Sequence, residues 1–390
     1  MQTLLQQFHR KSVSFASLML FGSRVVGLLT LLVGVACAQS VAKGSVKLVV
    51  GFCPSAFSGK GAVVSVGPTS PPSFDVVGEF SYPDGIDEEC LVLEDMTMTP
   101  SDQEKETFLS FSTHWGLLAA VNSSKGIMQH SAKGHSLDEY LFDGFSSMHT
   151  AENSKSMIGL TPHVTEDGFC SDGCFRFGKQ DIQDGGFVGL QGDGPGGALP
   201  FKAVMSQACH YDEKKGIYYA QGSYGLNSKA LCDRDETTEC LYQINASDGK
   251  LLSSKKFPDG IVIYKYSSAD SSDGTTLAWV YGFEDVCHNP YDSYAFVRLH
   301  LENGTVASKP VCIPKDVVVH EKPAMGAFSP DEKYFALSSG NSEGTPLQFL
   351  VFDTQTGKAV VDSDLAGLKK ALKLSSIAPF VQIWGISWPS

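Results

Sequence analysis

Met325-Gly-Ala-Phe-Ser-Pro-Asp-Glu-Lys-Tyr-Phe-Ala-Leu-Ser-Ser-Gly340 decides the fold. A short apolar segment runs into the polar turn Ser329–Lys333. A strongly hydrophobic run, Tyr334–Leu337, then ends in Ser and Gly. Two strands joined by a tight turn is the reading this pattern supports. A second hairpin follows in Phe349-Leu-Val-Phe-Asp-Thr-Gln-Thr-Gly-Lys-Ala-Val360, where Gly357 supplies the positive φ a tight turn requires. The unit is therefore four strands, antiparallel in sequence order.

The unit recurs upstream. Gln207–Gly222 and Tyr264–Gly282 repeat the first half, with weaker versions at Met148–Leu160 and Thr97–Phe111. Leu241–Leu252 and Phe296–Val306 repeat the second half, and Leu117–Gly126 and Phe175–Gly185 are looser versions. The first large apolar residues of the second strands are Leu48, Phe108, Met157, Ile217, Leu277 and Tyr334, at intervals of 60, 49, 60, 60 and 57 residues. Four strands at that period describe a β-propeller blade with slightly long loops. Leucine-rich and helical repeats would need periodic Leu or a 3.6-residue pattern, and neither is present.

The first unit lacks its first strand, because Val46–Gly51 matches a second strand. The missing piece lies at the other end, in Val381–Ser390. Joining the two removes the open sheet edges that each end would otherwise expose. The expected fold is all-β: a six-bladed β-propeller, its ring closed by the C-terminal strand pairing with the N-terminal strands. Asp364–Lys373, with Leu365, Leu368 and Leu372 at helical spacing, is expected to lead as a helix into the closing strand.

The turn Ser329-Pro-Asp-Glu-Lys333 resembles the Ser-Pro-Asp-Gly-Lys turn of TolB-like, lactonase-like and WD-type propellers. The resemblance covers one blade clearly and implies blade geometry without implying a ligand. The WD dipeptide is absent, and the doublets Gly185-Gly186 and Gly196-Gly197 do not recur at the spacing a kelch propeller needs.

The amino terminus reads as an address. Residues 1–38 hold Arg10, Lys11 and Arg24 and no acidic residue. They continue into the apolar run Val25–Val35 and the small-residue site Ala36-Cys-Ala38. This is a secretory signal pattern, with cleavage expected after Ala38 and a propeller domain over 39–390. A signal-anchor is the minor reading, giving membrane contact only if 13–38 stay uncleaved. Three sequons, at Asn122, Asn245 and Asn303, agree with secretion and are candidate glycosylation sites. The extracellular, secreted glycoprotein this describes is expected to be disulfide-bonded.

Composition narrows the function. The 390 residues carry 30 Lys+Arg against 43 Asp+Glu, a net charge of −13, which argues against a nucleic-acid partner. Nine cysteines remain after residue 38. Cys170 and Cys174, and Cys232 and Cys240, are spaced for local disulfides. Cys287 and Cys312 flank one outer hairpin and are placed to pair, and Cys53 and Cys90 sit in neighbouring blades and are placed to tie them. Cys209 is then left over, as a small buried thiol or, less favoured, a nucleophile.

Glu94, Asp95, His149, His210, Lys265, His320 and Glu321 fall on inner strands that can face a central channel. Six-bladed hydrolases hold Ca²⁺ there with carboxylates and amides. The matching positions here carry His and few Asn or Asp residues, which favours hydrogen-bonded His lining a wet channel. The acidic loops Asp233–Glu239 and Glu284-Asp285 match no calcium-loop spacing. Gly192-Asp-Gly-Pro-Gly-Gly197 fits a dinucleotide fingerprint literally, but Pro195 and the lack of a following helix make it a loop. No catalytic residue is assigned, and no cofactor is expected, Ca²⁺ being the one weighed. The leading expectation is a non-catalytic binding or matrix module. It would meet an extracellular protein or glycan through the long cysteine-bearing loops between second and third strands. A metal-assisted hydrolase or lactonase with its site in the channel is the alternative.

Overall fold

The computed structural model describes residues 46–55, 58–67, 71–81, 97–103, 106–112, 117–122, 127–133, 147–151, 156–162, 164–165, 168–169, 175–181, 187–190, 202–203, 209–223, 240–257, 261–267, 269, 273–287, 294–314, 317, 322–340, 346–374 and 381–388. The compact unit they belong to runs from Val46 to Ser390.

Strands dominate it, arranged as antiparallel sheets in chain order. The first sheet takes β1 (Val46–Ser55), β2 (Ser58–Val66) and β3 (Phe74–Ser81). The second takes β4 (Thr97–Gln103), β5 (Glu106–Ser112), β6 (Leu117–Asn122) and β7 (Ile127–Lys133). The third takes β8 (Ser147–Ala151), β9 (Ser156–Pro162), β12 (Phe175–Asp181) and β13 (Phe187–Leu190). A two-residue ribbon, β10 (Val164–Thr165) with β11 (Gly168–Phe169), lies between β9 and β12 in sequence.

In the fourth sheet β14 (Lys202–Ala203) and β15 (Cys209–Asp212) both pair with β16 (Ile217–Ser223), followed by β17 (Cys240–Asn245) and β18 (Leu251–Lys256). The fifth has β19 (Val262–Tyr266), β20 (Thr276–Tyr281), the short helix α1 (Glu284–Cys287) and β21 (Tyr294–His300). Both β22 (Thr305–Val306) and β23 (Val311–Cys312) pair with β21. The sixth has β24 (Lys322–Phe328), β25 (Tyr334–Gly340), β26 (Pro346–Asp353) and β27 (Ala359–Asp364), and helix α2 (Ala366–Ala371) follows. Five of these sheets contribute described side chains to the core; the β4–β7 sheet is described by its strand pairing.

The tail closes onto the head. Strand β28 (Val381–Ser387) pairs with β1, so the first sheet has the order β28-β1-β2-β3. Leu48 faces Ile386 across the pair and Val50 faces Ile383, with a bulge that leaves Trp384 as the extra residue. Beyond it, Trp388 donates its indole N–H to the carbonyl of Ala327 at 2.9 Å and stacks on Tyr334. The first strands succeed one another in space: β28 neighbours β4, β4 neighbours β8, then β15, β19 and β24, and β24 neighbours β28. The fold is an all-β propeller.

Among the described residues, second and third strands are buried on both faces, because their sheets are sandwiched between others. Thr276–Val280 in β20 is buried without alternation. The core accordingly lies between sheets. Sheets four and five enclose Tyr219, Leu241, Ile263, Ala278 and Val297. Sheets five and six enclose Trp279, Phe296, Phe335 and Phe352. At the seam, Leu48, Val50 and Val64 meet Val351 of the sixth sheet and Leu365, Leu368 and Leu372 around α2. The helix is shorter than the sequence suggests, since Asp364 still belongs to β27, but its three leucines are buried as their spacing predicts.

The Ser329–Lys333 turn shows why its sequence works. Ser329 Oγ donates to Asp331 Oδ1 at 2.7 Å, and the Tyr334 amide donates back to Ser329 Oγ at 2.9 Å. Burial opposes ionisation of Asp331. Hydrogen bonds from Ser329 and Lys333 nonetheless hold its carboxyl below the ordinary value. Glu332 takes the left-handed φ of 58° at the position where the resembled turns carry Gly. That conformation is costly for a side-chain-bearing residue. Thr354 Oγ1 holds it by donating to the Glu332 carbonyl at 2.6 Å, and Arg298 of the neighbouring sheet pairs with its carboxylate.

Candidate functional site

Three of the channel candidates lie on first strands of their sheets: His149 on β8, His210 on β15 and Lys265 on β19. Glu94, Asp95, His320 and Glu321 lie outside the described residues. His210 is buried between sheets four and five, its ring centroid 6.1 Å from that of Tyr219 and 6.0 Å from that of Tyr266. Lys265 is half-buried; desolvation pulls its ammonium pKa down, opposed by Cys209. Cys209 is a buried thiol packed with Tyr218 and Tyr242 at the interface of sheets three and four.

An open cleft of about 180 Å³ lies where the β15–β16 turn of sheet four meets sheet five. His210, Tyr219, Thr275 and Thr276 are its buried walls. Asp212, Lys215 and Glu302 form its rim. Lys215 Nζ bonds Glu302 at 2.7 Å and lies 3.3 Å from Asp212. The hydrogen bond to Glu302 drives the Lys215 pKa up, and the same bond drives the Glu302 pKa down. Burial raises the Tyr219 pKa, so its hydroxyl stays protonated. Thr275 Oγ1 donates to Asp273 at 2.7 Å and accepts from Arg298. Hydroxyls and an imidazole in walls around a neutralised rim can hydrogen-bond a small polar solute.

The opposite end of sheet five is covalently tied. Cys287, the last residue of α1, is disulfide-bonded to Cys312 in β23, with Cα atoms 5.4 Å apart. The bond fastens the second-to-third connection to the start of β21, because β23 pairs with Ala295 and Phe296. Val286, beside the bridge, is 54% exposed. Cys240 is also disulfide-bonded. Cys53 lies on β1, whereas Cys90, Cys170, Cys174 and Cys232 lie outside the described residues, as do the acidic loop 233–239 and the glycine run 192–197. Among the described residues no group of three or more His, Cys, Asp or Glu is placed to hold a metal, and no helix is long and apolar enough to cross a membrane.

Sequence reasoning missed Tyr219, Thr275, Thr276 and Glu302, which line the same cleft as His210. Only the Asp212-x-x-Lys215 spacing signalled the rim. Gly340-Asn-Ser-Glu-Gly344 also fits G-x-S-x-G literally. A nucleophile elbow needs a strand-to-helix turn; this segment falls between the antiparallel strands β25 and β26, and residues 341–345 lie outside the described residues.

No family model matches the chain, and no curated protein does. Similar solved structures include β-propellers. TolB from Acinetobacter baumannii is 11% identical, with 89% of this chain and 67% of that one covered at a TM-score of 0.45. A hypothetical selenium-binding protein from Sulfolobus tokodaii is 10% identical, with 84% and 76% covered at 0.45. The Cps50 (Swd1) β-propeller domain of Myceliophteria thermophila is 11% identical, with 78% and 83% covered at 0.41. Identity and overlap of this size carry no activity from those proteins to this chain.

Proposed function

We propose that the chain is a secreted, six-bladed binding propeller, with residues 1–38 as a cleaved signal and β28 completing the blade that β1 begins. Its partner is an extracellular protein, met by the connections between second and third strands. The observation that carries this reading is Val286, displayed on a four-residue helix that the Cys287–Cys312 bond fixes to the sheet. An exposed apolar side chain on a braced loop loses little entropy when a partner covers it. A rigid scaffold that presents such loops is how folds of this kind build recognition surfaces.

The test has two parts. Sequencing the secreted protein should return Gln39 as the first residue; an intact residue 13–38 segment contradicts secretion by cleavage. Probing arrays of defined extracellular ectodomains should give a partner whose affinity falls about tenfold or more in V286D or on deletion of 233–239. Binding that survives both changes unaltered overturns the assignment of the face.

A further inference from the structure

The three sequons of the chain, Asn122-Ser-Ser124, Asn245-Ala-Ser247 and Asn303-Gly-Thr305, are far apart in sequence but equivalent in the fold. Asn122 is the last residue of β6 before the connection to β7. Asn245 is the last residue of β17 before the connection to β18. Asn303 lies in the turn between β21 and β22. Each therefore begins or occupies the third-to-fourth-strand turn of its sheet. In a four-stranded antiparallel sheet, the first-to-second and third-to-fourth turns emerge at one end and the second-to-third connection at the other.

Contacts between sheets four and five place the turns of Asn245 and Asn303 on one face, and the strand order puts the connection after Asn122 at the corresponding end of its own sheet. Gln243 Nε2 donates to the Glu302 carbonyl at 2.9 Å, and Lys215 in the β15–β16 turn pairs with Glu302 beside Asn303. The second-to-third connections, which hold Cys170, Cys174, Cys232 and Cys287, contain no sequon.

At Asn245 and Asn303 the turn geometry suits modification. Ser247 N and Oγ both donate to Asn245 Oδ1, at 2.9 and 2.8 Å, and Thr305 Oγ1 donates to Asn303 Oδ1 at 2.6 Å. Holding Oδ1 in the turn directs Nδ2 away from it. Ser247, Asn303 and Thr305 are exposed.

We propose that Asn122, Asn245 and Asn303 carry N-linked glycans that together fence the turn face. The fence closes that face to macromolecules, leaves the cleft at Asp212 and Glu302 to small solutes, and confines protein partners to the disulfide-braced face. At each site Nδ2 attacks the anomeric carbon of an oligosaccharide carried on a lipid pyrophosphate. The C–N bond forms as the C–O bond to pyrophosphate breaks, the lipid pyrophosphate leaves, and Nδ2 gives up one proton. This inference rests on the secretory reading and is tested separately from it by supplying a heterologous leader, so that entry into the pathway no longer depends on residues 1–38.

Full-length mature protein secreted from a eukaryotic host should show glycopeptides at all three asparagines. Antibody fragments raised on the S124A/S247A/T305A variant, which keeps every asparagine, provide the probe. Those sensitive to Lys215→Ala or Lys250→Ala should lose at least about tenfold in affinity for the glycosylated protein, and those sensitive to V286D should bind both forms equally. Secreted protein with the three asparagines unmodified overturns the proposal. Occupied sites that leave the Lys215- and Lys250-dependent fragments binding at full strength overturn it too.

Discussion

The interface between sheets five and six and the seam between sheets six and one solve the same packing problem with different side chains. The first is aromatic. Trp279 stacks on Tyr294, Phe335 and Phe352 with ring centroids 5.0, 5.2 and 5.6 Å apart. The seam is aliphatic, built from Leu48, Val50, Val64, Val351, Ile383 and the leucines around α2. Sheets five and six are consecutive in the chain, so a few large rings meet after a short loop closes. The seam joins strands from opposite ends of the unit, whose closure carries the larger entropic cost. It is held by a ladder of paired strands together with many small buried groups, each worth about 1.5–3 kcal/mol. The sheets are thus locked by backbone pairing at the seam and by side-chain volume between sheets five and six.

The largest expected effect is at the seam. Truncation before Val381 removes β28, strips the β1 edge of its partner and uncovers Leu48 and Val50. The truncated chain should lose cooperative unfolding and should self-associate, as read by calorimetry and light scattering. A monomeric, cooperatively folded truncate would place the seam's stability elsewhere. Next comes Trp279→Ala, which should cost about 3–5 kcal/mol in chemical denaturation, against about 3 kcal/mol for Leu48→Ala. A Leu48→Ala cost larger than that of Trp279→Ala would erase the distinction between the two interfaces. Replacing Cys287 and Cys312 together with Ser should lower stability by about 2–4 kcal/mol, and the difference should vanish when wild type and variant are both fully reduced.

The smallest effect concerns the Ser329–Lys333 turn. Asp331→Asn should cost no more than about 1 kcal/mol, because the site is exposed and screened. Its pH dependence has a definite sign. The folded carboxyl is held below its ordinary value, so its contribution is present above the unfolded pKa of about 3.9 and is lost as pH falls through the folded value. Stability curves of wild type and variant should converge in acid and separate towards neutrality. A constant gap at all pH values would assign the effect to packing.

The second and third strands were legible because double burial writes continuous apolar runs, as in Thr276–Tyr281, and because Gly249, Gly304 and Gly357 punctuate the outer hairpins with positive φ. Closure was legible because Val46–Gly51 lacked a preceding strand that Val381–Ser387 could supply. The β10–β11 ribbon and α1 were not, since two- and four-residue elements have no period to detect. The cleft was hidden for another reason. His210 and Asp212 come from β15, whereas Thr275 and Glu302 arrive from the next sheet, and which side chains meet across two sheets depends on register that no local pattern carries. Glu332 was misleading in a useful way. A left-handed residue with a side chain reads as a departure from the Gly of similar turns, and only the structure shows Arg298 using that side chain to bridge two sheets.

Whether the tail closes onto the head can be read by hydrogen exchange, measured by mass spectrometry on peptides covering 46–52 and 381–387. Amides of β1 and β28 paired as Leu48 with Ile386 and Val50 with Ile383 should be protected to the same degree and open together as denaturant is added. Rapid exchange across 381–387 while 46–52 stays protected would mean that the tail does not close the ring.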